Sequence, residues 1–286
     1  MKKTITAILI ISVLIIVTAC NEQVDEDLII EEFNNIIDVK QAGFNDVLAF
    51  MRENIGDLSE EKASLMLLKF EDYHKDYISI IEDCFFIDTI QRHFQQEYNN
   101  GQVDINNPEI IKDKLIKALV VETIKCGYKV AEAEAQFFPI IDYSFYQEFS
   151  TYAEADIEEY FRIMKTESDQ LALKDAAPVI SWDEVINRAL VIEEFLLKYQ
   201  ESEKAETMGE LYERYKVLTF FGSPNSPIFD QNQGVLKDKV KKAYQQAVNT
   251  ANESEYINLL KDFNNILKKT NYRLSIEVDE YRNSII

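Results

Sequence analysis

Residues 60–94, EEKASLMLLKFEDYHKDYISIIEDCFFIDTIQRHF, carry the reading on which the fold depends. Met66, Phe70, Tyr73, Tyr77, Ile80, Cys84 and Ile87 follow one another in alternating steps of four and three. That is the period of a single apolar stripe on an α-helix. Gln91 interrupts the stripe and Phe94 resumes it, so its ends lie roughly 42 Å apart at the helical rise. A stripe of this length needs partner helices beside it, which predicts burial of Tyr77, Ile80 and Cys84. Alanine at Tyr77 or Ile80 would then cost about 2–5 kcal/mol.

Outward from that stretch the chain continues in helical patterns. Residues 28–54 read as one helix, because Phe33-Asn34-Asn35-Ile36-Ile37 and Phe44-Asn45-Asp46-Val47-Leu48 recur eleven residues apart on one face. Asp57 and Glu60 have capping-box spacing ahead of the long helix. Asn107-Pro108 opens a further helix whose apolar face is Ile116, Leu119, Cys126 and Val130, with Pro139 as its interruption. Residues 143–164 read as helical. Ser181 and Glu184 form the best capping box of the chain, and the helix they start runs toward Phe221 with Gly209 as a break. Helices over 235–251 and 254–271 follow. Leu274, Ile276 and Val278 fit either a strand or a short helix.

Seven glycines and five prolines in 286 residues exclude folds built from many tight turns. The expected class is all-α: a multi-helix bundle or an irregular helical array. Ala176-Ala177-Pro178 is the candidate seam between an N-terminal half, 28–177, and a C-terminal half, 178–286, of what is otherwise one larger domain.

The first twenty residues, MKKTITAILIISVLIIVTAC, address the chain rather than fold it. Lys2 and Lys3 precede an apolar run over 7–17, too short for a membrane span of about 20 residues. The run ends in Val17-Thr18-Ala19-Cys20, which resembles the lipobox of bacterial lipoproteins. The resemblance implies removal of a signal peptide, 1–19, and a diacylglyceryl thioether on Cys20. It also implies an acidic tether over 20–27 and a chain held by lipid on the extracytoplasmic face of the cell membrane. Two acyl chains hold a protein to a bilayer where one does so marginally.

The sequence carries 30 basic against 51 acidic residues, a net charge of −21. Lys2 and Lys3 leave with the signal, so the mature chain is more negative still. Such a balance argues against nucleic acid as a partner, since phosphate contacts need a basic patch. It argues equally against charge attraction to anionic lipid.

Little in the sequence points to catalysis. The two histidines, His74 and His93, stand in no nucleophile or metalloprotease motif. Glu71-x-x-His74 matches half of a di-iron helical signature, but Ile90 stands where a second glutamate would precede His93. The expectation for Glu71 and His74 is therefore a solvated helix face. Asp230-Gln231-Asn232-Gln233-Gly234 begins like a calcium loop, yet its twelfth position is Lys241. Asn225, Asp230 and Asn232 are retained as weak loop-site candidates in the 222–234 segment. Cys84 and Cys126 are the candidate disulfide pair, against the alternative of two small core residues. Three acidic clusters read first as solvated faces, with a surface for a basic partner as the alternative: Glu154, Asp156, Glu158 and Glu159; Glu193 and Glu194; Glu201, Glu203 and Glu206. The functional expectation is a lipid-anchored, non-enzymatic binding module of the cell envelope, with no cofactor, metal or catalytic residue and a protein partner. The alternative is a lipoprotein that holds a small ligand or a cation in a groove between helices. An envelope hydrolase is the third reading.

Overall fold

The computed structural model describes residues 25–38, 43–98 and 101–286. The signal peptide, Cys20 and most of the acidic tether lie outside the described residues. The fold is mostly helical, as the periodicity predicts, with three short antiparallel strand pairs set into the helical array. The first predicted helix divides into α1 (Glu26–Asp38) and α2 (Phe44–Asn54), the latter starting after Gly43. The two Phe-Asn phrases thus fall on separate helices. The long stretch forms α3 (Glu60–Phe85), but Ser59 rather than Asp57 caps it, by accepting a hydrogen bond from the Lys62 amide.

The α3 stripe is only half buried. Ala63, Met66, Leu67, Phe70, Glu71 and His74 form its covered face. Tyr73 and Tyr77 are half-buried, and their rings lie 6.5 and 5.6 Å from that of Phe44. Farther on, Ile80, Cys84 and Ile87 are exposed, which corrects the expectation of core positions there. The reason is that the covered face of α3 passes instead to Ile81 and Phe85, which belong to a second, smaller core, before the chain turns into α4 (Asp88–Tyr98). The stability cost moves with the burial. Phe70→Ala is expected to lose about 3–5 kcal/mol and Ile80→Ala less than about 0.5 kcal/mol, as read by thermal or urea melts of the two variants.

Beyond α4 the chain departs furthest from the helical expectation. Asn107-Pro108 makes a turn instead of a helix start, the Asn107 side chain accepting from the Glu109 amide. The helix, α5 (Lys114–Lys125), begins at Asp113, whose carboxylate accepts from the amides of Leu115 and Ile116. It stops before Gly127, which takes φ +70° with His74 and Phe145 packed where a Cβ would stand. An antiparallel hairpin follows, β1 (Tyr128–Ala133) and β2 (Gln136–Ile141), with Val130 opposite Pro139. Its two turn residues, Glu134 and Ala135, both have positive φ, the geometry of a type I′ hairpin turn. Residues 143–152 are two 3-10 turns rather than part of one helix, and α6 (Ala155–Asp169) begins only after them.

The supposed seam at 176–178 is a second hairpin, β3 (Leu173–Lys174) and β4 (Ala177–Pro178). Half of the capping box forms: the Ser181 hydroxyl accepts from the Glu184 amide and starts α7 (Trp182–Lys198), while the Glu184 carboxylate accepts from Arg188 instead of reaching back. The helix stops there, and α8 (Ala205–Phe221) is separate, with Gly209 inside it. A third small hairpin pairs β5 (Gly222–Ser223) with β6 (Ser226–Pro227). Then come α9 (Asp238–Thr250), α10 (Glu255–Lys269) and α11 (Ile276–Ser284), the last two capped by Ser254 and Ser275.

Two cores hold these elements. The main one draws residues from Ile30 to Val278 and crosses the position of the supposed seam. The smaller one gathers Phe85, Ile90, Phe94, Ile116, Val120, Val130 and Phe137 under the first hairpin. Its aromatic rings stack, Phe94 lying 5.2 Å from Phe85 and 5.0 Å from Phe137. Among the described residues, no helix is long and apolar enough to cross a membrane.

Candidate functional site

The two residues that sequence spacing assigns to a solvated face, Glu71 and His74, are both completely buried. This corrects the expectation, and the cause is tertiary. Four segments converge on the Glu71 carboxylate. Tyr143 from the first 3-10 turn and Tyr160 from α6 donate to one oxygen at 2.7 and 2.5 Å. Lys204, in the link between α7 and α8, donates to the other at 2.6 Å, and its ammonium lies 4.9 Å from the centre of the Tyr160 ring. Lys75, one helical turn along α3, approaches to 3.1 Å. Burial pushes the carboxyl up, but the attraction of Lys204 and Lys75 and the Tyr160 hydrogen bond outweigh it and hold the group ionised. Burial and the adjacent negative charge raise the Tyr143 hydroxyl, while burial and the neighbouring Tyr143 and Glu71 raise that of Tyr160, so both remain proton donors.

His74 is fixed at both nitrogens. Nε2 lies 2.8 Å from the Cys126 carbonyl oxygen, which can only accept, so Nε2 carries the proton. Nδ1 therefore accepts from the Tyr146 hydroxyl at 2.9 Å. Desolvation pushes the imidazole down to about 4, despite the Cys126 hydrogen bond and the nearby Glu71 charge. Tyr128, at the start of β1, donates to the His74 carbonyl at 2.6 Å and so ties the hairpin to α3. Every polar atom in this centre has a protein partner, and neither Glu71 nor His74 lines the grooves described next. The centre is a clamp between segments.

The open chemistry lies along α7. A groove of about 910 Å³ runs between α7 and the α9–α10 junction, with Asp183, Glu194 and Glu253 on its walls. A second, of about 630 Å³, lies between the starts of α3 and α6 and the α7–α8 link; Glu61, Glu154, Asp156, Glu201 and Glu203 line it. The two share Leu197 and Lys198, and Leu197 is 64 % exposed on the ridge between them. Burial, and after it the charges of Asp156, Glu61, Glu60 and Glu203, raise the Glu154 carboxyl. The fold thus brings together parts of the three acidic clusters that lie far apart in sequence. Glu193 also lines the first groove but is occupied within the fold: buried, it accepts from the Tyr256 amide at 2.7 Å and caps α10 from the side. Glu159 pairs with Arg162, and neither it nor Glu158 or Glu206 lines either groove.

The loop candidates serve the fold. Asn225 donates its side-chain amide to the Asp175 carbonyl at 2.6 Å and its backbone amide to that of Ala176, lacing the third hairpin to the second. The Asp230 carboxylate accepts from the amides of Asn232 and Gln233, which makes a turn of these residues. Among the described residues no three histidine, cysteine, aspartate or glutamate side chains converge as metal ligands. Cys84 and Cys126 are both free thiols: Cys84 stands exposed near the end of α3, and Cys126 caps the end of α5. The disulfide alternative is thereby replaced by two separate roles, and Cys84 is no core filler. No protein-family model, curated protein or solved structure matches the chain.

Proposed function

We propose that this chain is a lipid-anchored, extracytoplasmic binding module, held by lipid on Cys20, whose acidic grooves receive a basic, partly apolar segment of a protein partner. The observation that carries the reading is the pair of adjoining grooves with crowded carboxylates on their walls and an exposed leucine between them. Such a surface attracts lysine- and arginine-rich segments at long range, and the ridge gives an apolar side chain a place to bury. The signal-like sequence supports the setting, and the strongly negative charge leaves attachment to the membrane to the lipid.

Two arms test the proposal in a bacterial host that processes the full chain. Cys20→Ala is expected to move the protein from the membrane pellet to the soluble fraction and abolish lipid labelling; an unchanged pellet fraction overturns the anchor. For the grooves, the probe is a synthetic amphipathic peptide of lysine and leucine, followed by fluorescence anisotropy. Reversing Glu201 and Glu203 to lysine should weaken its binding about tenfold or more and flatten its salt dependence. Equal affinity for wild type and variant overturns the groove reading and leaves the anchor untouched.

A further inference from the structure

Between α6, the second hairpin and α8 lies a pocket of about 280 Å³ that shares no lining residue with the acidic grooves. Its walls are Met164, Leu171, Leu173, Met208, Leu211 and Leu218, an apolar set closed at depth by the buried Met208 and Leu218. Leu171 and Leu173 are exposed, as pocket-mouth side chains are. Two methionines give the wall adaptable shape.

Two charged residues line the pocket, and their situations are opposite. Glu167 is occupied within the protein. Both its oxygens accept from the Tyr215 hydroxyl at 2.7 Å, and one lies 3.2 Å from the Arg188 guanidinium, which is itself buried and also donates to the Gln170 carbonyl. Arg214 is exposed at the edge and makes no hydrogen bond or ion pair among the described residues. Glu210, one turn earlier on α8, forms no ion pair with it. The Arg214 guanidinium is therefore free at the edge of an apolar pocket whose other lining charge is already paired.

We infer that this pocket binds a small monocarboxylate with an unbranched apolar tail, the tail entering between α6 and α8 and the carboxylate pairing with Arg214. A planar guanidinium matches a carboxylate through two parallel hydrogen bonds. One such group, with no second cation lining the pocket, suits a single negative charge better than a phosphate dianion. The volume, just below the range of about 300–1,000 Å³ usual for ligand pockets, sets the tail at medium length.

The test uses decanoate and decanol, which share a tail and differ in charge, titrated calorimetrically into the full-length protein. Decanoate is expected to bind saturably, one per chain, and decanol about tenfold more weakly. Arg214→Gln, an exposed position that leaves the fold intact, should bring decanoate down to the decanol level and leave decanol unchanged. Ala172→Phe, on the pocket wall, should abolish both; Thr207→Phe blocks from the α8 side if the first variant fails to fold. Non-saturable heats for decanoate, equal affinities for acid and alcohol, an Arg214→Gln variant indistinguishable from wild type, or binding that survives the blocked pocket each overturn the inference. Because none of these residues lines the acidic grooves, a negative result here leaves the partner-binding proposal standing.

Discussion

Glu71→Ala is expected to lower the unfolding free energy by about 3–5 kcal/mol, the largest loss of any single substitution at a polar position of this protein. The cost does not come from losing a favourable ion pair as such, since burying two charges consumes most of what their attraction returns. It comes from what stays behind. Without the carboxylate, the Lys204 ammonium is left buried against the Tyr160 ring, and the hydroxyls of Tyr143 and Tyr160 lose their shared acceptor. Replacing both ends of the pair by apolar residues, Glu71→Leu with Lys204→Met, should recover part of the loss. Tyr143→Phe should cost only about 1 kcal/mol, the usual net value of one hydrogen bond. Urea denaturation of the three variants beside wild type measures the ladder. A Glu71→Ala loss below about 1 kcal/mol would mean that the clamp is not closed in solution.

His74 makes the second large effect, and pH reveals it. The imidazole sits at about 4 in the folded chain and near 6.5 when unfolded. Between those values the unfolded state binds the extra proton. Its contribution is therefore complete above pH about 6.5 and drains away as pH falls toward 4, amounting to about 3 kcal/mol over the interval. Glu71 acts in the same sense but in a lower window. Its folded carboxyl lies below the ordinary value, so its share persists above the unfolded carboxylate range and is lost only as pH falls further, through the folded value. The measurement is a series of urea melts between pH 7 and 4 on wild type and His74→Gln. The variant should be less stable at neutral pH and have a distinctly shallower slope. Parallel slopes would show that the imidazole is not held neutral.

The helical class was legible because periodicity is local. The 4-3 steps of α3, the Ser181 capping box and the scarcity of glycine each report on a few consecutive residues, and α3, α7 and the array they belong to follow from them. What was lost depends on distance or on unusual backbone. The first hairpin is written in helix formers, Ala131-Glu132-Ala133-Glu134-Ala135, and its turn uses Glu-Ala where asparagine and glycine are the common signal. Only its tertiary pairing, with Gln91 donating to and accepting from the Phe137 backbone, makes it a sheet. The same holds for the site. Glu71 has nothing beside it in sequence to announce that Lys204 is 133 residues away on the same oxygen pair. One signal was present: Leu67, Glu71 and His74 continue the spacing of Ala63 on a stripe one residue removed from the aromatic seam, and that stripe is buried at all four positions, whereas the seam on α3 is fully buried only at Met66 and Phe70. The acidic clusters were visible individually, but their meeting at Leu197 was not, because groove walls are assembled from separate helices.

The smaller core gives the molecule a second level of cohesion. Its buried members lie between Phe85 and Phe137, and the lobe is tied to the main body by the Tyr128–His74 hydrogen bond, the Lys129–Asp169 and Glu132–Lys174 ion pairs and the Glu134 amide on Asp175. A lobe assembled from such a short span can breathe as its own cooperative unit, at a smaller free energy than melting the whole. Such excursions would uncover its aromatic stack while the grooves along α7, rooted in the other core, keep their shape. Local loosening and recognition are thereby assigned to different parts of one polypeptide.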